Sequence, residues 1–150
     1  AGSITRQPAH LIDFMATFIE LGKATYPRII GNRQIDPLEG KSLTPIFNNE
    51  KRDGHDSMYF HFGTDRALRQ GKWKLVSAKG GKWELYNLDN DRTELKDLSA
   101  KYPQKVSQMS KEWFNIAKNK DRLKEKALKP VKPEVKSLSF RKDTSNQIVD

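Results

Sequence analysis

The stretch MYFHFGTDRALRQGKWKLVSAKGGKWELYNLDNDRTELKDL, Met58 to Leu98, decides the fold. It holds short β-type runs separated by turns. Met58–Phe62 is one apolar run, and Arg66–Arg69 leads through Gln70-Gly71 into Lys72–Val76. Lys79-Gly80-Gly81-Lys82 then leads into Trp83–Leu88. In the second of these hairpin arms Trp73 and Leu75 share a face, while Lys72 and Lys74 take the other; Trp83 and Leu85 repeat the pattern. Period-two alternation between glycine-containing turns predicts a half-buried antiparallel meander. Asp89-Asn90-Asp91-Arg92 then reads as a turn, because short polar side chains can bond their own backbone.

Working outward, Ser99–Lys118 predicts an amphipathic helix. Pro103 suits its first position, where a missing N–H costs nothing. Val106, Met109, Trp113, Ile116 and Ala117 fall on one stripe, expected to lie on the apolar face of the meander. Upstream, Ala9–Leu21 predicts a second helix, with Phe14, Met15, Phe18, Ile19 and Leu21 as a wide apolar face. Asp13 is its expected N-cap and Gly22 its stop. Lys23–Ile35 reads as a loop, Ser42 as the cap of a short helix Leu43–Phe47, and Asn48–Asp56 as a polar linker. Together these predict an α+β fold: a small antiparallel sheet of about four strands packed by helices on one face.

Composition narrows the function classes. The chain has 150 residues, no cysteine and a net charge of +9. Disulfides and thiol chemistry are therefore excluded from this chain. No apolar run reaches membrane-spanning length. Three scattered histidines make no zinc pattern, and no glycine-rich phosphate loop is present. An EF-hand starting at Asp89 would need Gly and Glu where Glu94 and Ala100 stand, so it is rejected. The strongest positive field lies in Asn119–Lys142, with nine Lys or Arg against three Asp or Glu.

The ordered pieces carry a resemblance. Arg66, Ala67, Arg69, Gly71, Trp73, Lys74 and Leu75, then Glu84, Leu85, Tyr86 and Leu88, then Asp91, Glu94 and Leu98 resemble the C-terminal end of the formylglycine-dependent sulfatases. Arg92 and Asp97 stand where that pattern has Pro and Asn. Asp13 and Thr17 match an upstream helix pattern, with Ala16 in place of Pro. Gly40, Ser42, Leu43 and Pro45 match a further piece. The resemblance spans about residues 4–118.

What it implies is a C-terminal subdomain whose catalytic portion lies upstream, with Ca²⁺ and formylglycine belonging to that parent enzyme. None of the family's metal-binding or nucleophile signatures occurs here, so the catalytic and metal residues of this chain are expected to be none. The implied partners are the sulfatase catalytic domain of the same parent chain and a sulfated small molecule or glycan. No specific nucleic acid and no membrane is expected, and self-association of the isolated chain is. His61 and Arg66 are the residues the resemblance brings to the rim of a substrate pocket. A periplasmic, secreted or lysosomal parent is implied; the residues themselves name no compartment. The expected divisions are a cloning scar at 1–3, a helix with loops at 4–57, the meander and helix at 58–118, and a basic tail at 119–150. The rival from another class is a basic module binding nucleic acid, or sulfated glycans through Arg66, Arg69 and Lys72.

Overall fold

The computed structural model describes residue 2 and residues 4–121. The readings made for the tail beyond residue 121 lie outside the described residues. The meander forms as predicted. β3 (Met58–Phe62), β4 (Asp65–Gln70), β5 (Trp73–Ser77) and β6 (Glu84–Asn87) make a four-stranded antiparallel sheet in sequence order. Before it, β1 (Ile29–Ile30) and β2 (Arg33–Gln34) form a two-residue hairpin within the segment expected to be loop. α1 spans Asp13–Leu21, α2 Thr44–Phe47 and α3 Pro103–Asn119.

The register explains how the sheet buries one face. Tyr59, Leu68, Leu75 and Leu85 are successive Cα partners across the four strands. The three leucines are fully buried and meet Met109, Trp113 and Ala117 of α3. Each of these leucines, and Met109, contributes roughly 1.5–3 kcal/mol by leaving water. The stripe predicted on α3 therefore packs where expected. Trp113 is completely buried, and its indole N–H donates to the Phe60 carbonyl at 3.2 Å, which ties α3 to β3. Trp73 is only half-buried; it packs edge-on against Tyr102, where the chain enters α3.

The other helices differ. α1 buries only Asp13 and Thr17, and both are polar. Its apolar face is open: Phe14, Met15, Phe18 and Leu21 are each at least half exposed. Two sequence expectations are corrected here. Ile12 occupies the N-cap position of α1 and no side chain caps it. Asp13 is instead the first helical residue, because its carboxylate is drawn to partners from distant loops. α2 likewise begins at Thr44, after Leu43, with no side-chain cap on its N-terminus; Ser42 accepts from the Thr44 N–H at 3.1 Å just ahead of it. Gly40 lies against the Ile12 carbonyl, where a Cβ would sit only 2.0 Å from the oxygen.

Candidate functional site

Strand alternation sorts the sheet's polar residues onto two faces. His61, Arg66 and Ser77 are successive register partners, two residues along from the Tyr59–Leu68–Leu75 row, so they share the α3 face. Arg66 is buried, with its guanidinium 5.2 Å from the centre of the Trp113 ring and 5.6 Å from that of Phe114. Such a geometry favours a cation over the aromatic quadrupole. Burial lowers the Arg66 pKa from its usual value, and the nearby Tyr59 opposes that shift. His61 is partly exposed beside the β3–β4 turn. Its Nε2 lies 3.0 Å from the Gly63 carbonyl and its Nδ1 3.4 Å from the Asp121 carboxylate.

The structure thus brings together the two residues singled out for a pocket rim. Both line a cavity of about 690 Å³ at the hairpin end of the sheet, with Phe60, Phe62 and His10 around it. Tyr59, which also lines it, donates to Asp121 Oδ2 at 2.8 Å. Burial, then that carboxylate, holds the Tyr59 phenol well above its ordinary pKa, so it stays a donor.

A second polar centre was not legible as such. The fully buried Asp13 carboxylate accepts from four groups. These are the His10 amide at 2.8 Å, the Lys41 amide at 2.9 Å, Arg52 Nη2 at 2.9 Å and His55 Nε2 at 2.6 Å. Arg52 is buried too, and it also donates to the carbonyls of Pro8 at 2.7 Å and Lys41 at 2.8 Å. Burial alone would raise the Asp13 pKa. The Lys41 and His10 amides, with His55 and Arg52, outweigh it and hold the carboxyl well below the usual carboxylate range. The segment read as a polar linker therefore carries two anchors of α1. Thr17 completes the joint: its hydroxyl donates to the Asp13 carbonyl and accepts from the Leu43 amide.

Among the described residues no helix makes extensive contact with the sheet face away from α3. Met58, Arg69, Lys74 and Tyr86 form one row on it, and Phe60, Ala67, Val76 and Glu84 the next. Tyr86 donates to Glu84 Oε2 at 2.8 Å, and burial with that carboxylate pushes its phenol up to about 12. Among the described residues no three His, Asp or Glu side chains lie close enough together to hold a metal ion. No helix among them is long and apolar enough to cross a membrane.

Comparison with known proteins adds the following. No family model matches the chain, and no curated protein does. Solved structures do. A protein solved as Ps i-CgsB, also in complex with k-i-k-neocarrahexaose, is 24% identical with a TM-score of 0.55, over 73% of this chain and 24% of that one. BT1596, a 2-O GAG sulfatase, is 23% identical with a TM-score of 0.52, over 75% of this chain and 26% of its own. A protein of Bacteroides thetaiotaomicron VPI-5482, provisionally assigned as a sulfatase, is 20% identical with a TM-score of 0.57, over 81% and 27%. The chain thus spans about a quarter of the length of the structures it matches, and it shares their fold over that part.

Proposed function

We propose that this chain is one portion of a longer sulfate-ester hydrolase, and that it completes the substrate pocket of a catalytic portion outside it. The observation that supports this reading most is a coincidence of two kinds of likeness. The sulfatase-like residues occur in order from α1 through the sheet to the turn after β6, and most of the chain takes the fold of about a quarter of structures solved as sulfatases. In this reading the substrate is a sulfated sugar or a smaller sulfate ester, and His61 and Arg66 stand at the rim of the joined pocket. His61 can donate or accept toward a sugar hydroxyl or sulfate. Arg66, behind it, supplies positive charge.

The chemistry of sulfur attack is assigned to the other portion. A formylglycine made from cysteine has no precursor here, since the chain lacks cysteine. Among the described residues no three His, Asp or Glu side chains gather around one point, and Asp13 and Asp91 are engaged by backbone amides. The open apolar face of α1, with Leu11 beside it, is the proposed contact with the catalytic portion, and self-association is its fallback when that portion is missing. Against the nucleic-acid reading, Trp73 packs on Tyr102 and Trp83 on Trp113 and Phe114, which takes up part of the ring surface a base would stack on.

The test is to purify the chain alone and together with the portion encoded upstream of it. Sulfate release from an aryl sulfate and a sulfated oligosaccharide is then measured, with calcium present. Release by the joined protein and none by the chain alone is expected. Release by the chain alone would overturn the proposal, as would tight sequence-selective DNA binding that survives physiological salt.

A further inference from the structure

Toward the Met58–Arg69 end of the strands, the sheet face away from α3 carries a second cavity of about 560 Å³. Its charges are arranged for an anion. Arg69 and Lys74 are register partners on this face; Arg92 arrives from the turn after β6 and Arg6 from the N-terminal segment. Two acids share the lining, Asp89 and Glu94. Glu94 is already neutralised: Lys74 Nζ sits 2.5 Å from its Oε1. Three arginines then face one remaining carboxylate. Arg69 spends only its Nε, on the Gly71 carbonyl at 3.1 Å, which fixes the fork and leaves the two terminal nitrogens. Among the described residues Arg6 and Arg92 have no hydrogen-bond or ion-pair partner. Met58, Phe60 and Leu88 add an apolar floor, and Phe60 is 42% exposed.

We propose that Arg6, Arg69 and Arg92 form an anion subsite that holds a sulfated sugar unit, its sulfate on the guanidinium forks and its ring against Phe60. A planar guanidinium binds an oxyanion through two parallel N–H bonds, which an ammonium cannot do. An aromatic side chain beside such a fork suits a sugar ring better than a bare inorganic anion. Phe60 lines both this cavity and the one that holds His61, so the subsite would grip a neighbouring unit of the same extended chain. The choice of a sulfated ligand rests on the function proposed above; the preference for an anion rests on the arginines.

The experiment measures binding, not hydrolysis, using the 150-residue chain. The probes are a sulfated hexasaccharide, the same backbone desulfated, a phosphorylated analogue and inorganic sulfate. The sulfated hexasaccharide is expected to bind, with the desulfated one and inorganic sulfate at least about tenfold weaker. Arg69→Gln with Arg92→Gln should weaken it on the order of tenfold or more. Arg28→Gln with Arg33→Gln removes the same net charge at the β1–β2 hairpin and should leave binding within about twofold. Equal losses in the two double variants, or none in either, would overturn the subsite, and so would inorganic sulfate binding as well as the hexasaccharide. Preference for the phosphorylated probe, lost in the Arg69/Arg92 variant, overturns the sulfated ligand. Binding as expected in a joined protein that releases no sulfate supports the subsite and rejects the hydrolase reading alone.

Discussion

The two ends of this molecule are held by different forces. The sheet and α3 are joined by apolar area: three leucines in one row, capped by Met109, Trp113 and Ala117. α1 is joined to its loops by a buried carboxylate, while its phenylalanines face outward. Apolar packing is non-directional and scales with area, so it tolerates small shifts and depends little on pH. A buried ion pair is the reverse. It adds little net stability over a well-packed apolar substitute, yet losing one partner strands the other in low dielectric. The first region is built as a core, and the second as a directional joint with an open apolar side.

Several measurements would break or sharpen that contrast. The largest effect is expected from Trp113→Ala, which removes the central side chain of the core and its bond to Phe60. It should cost about 3–5 kcal/mol in a denaturant titration; a loss under about 1 kcal/mol would refute the sheet–helix packing. Asp13→Ala should cost less, about 2–3 kcal/mol, because Arg52 keeps its bonds to the Pro8 and Lys41 carbonyls. That loss should appear in amide exchange of α1 and residues 41–55 before it appears in the sheet.

Acid should reproduce the Asp13 effect without mutation. Its carboxyl is depressed in the folded state, so its stabilisation is complete above the unfolded value near 3.9 and fades as pH falls below that. Exchange of the α1 amides should accelerate below about pH 4 in the parent and far less in Asp13→Asn. A pH-independent profile in both would remove the hub from the account. The smallest effect on stability belongs to Phe14→Ser with Phe18→Ser. These exposed positions should change it by no more than about 0.5 kcal/mol per site. Sedimentation should nonetheless show weaker self-association, and an unchanged association constant would show that the open face is not the contact.

The core was legible because it obeys local periods. Alternation in Trp73–Val76 and the stripe from Val106 to Ala117 each report one face of one element, and nearest neighbours decide both. The alternation was not carried back to Arg66, which the register sets two residues from Leu68 on the same buried face. What it could not give was the Trp113 ring beneath the guanidinium, since that contact joins positions far apart in the chain. The Asp13 hub was hidden for the same reason. Arg52 and His55 lie about forty residues away in a stretch whose polarity reads as linker, and nothing local distinguishes an anchoring arginine from a solvated one. The outward phenylalanines of α1 show the converse: a strong helical apolar face was read correctly as amphipathic, but periodicity alone says nothing of what covers it.

Gly40 gives the joint its clearance. Backbone meets backbone there, with no room for even a methyl group beside the Ile12 carbonyl. The hub's hydrogen bonds set direction, but this contact sets spacing, so the joint has a hard stop as well as a latch. A side chain at residue 40 would act as a shim, prising α1 from its loop while leaving every charged partner of Asp13 in the sequence. Geometry and charge at this junction can therefore be adjusted separately, one with a methyl group and the other with a proton.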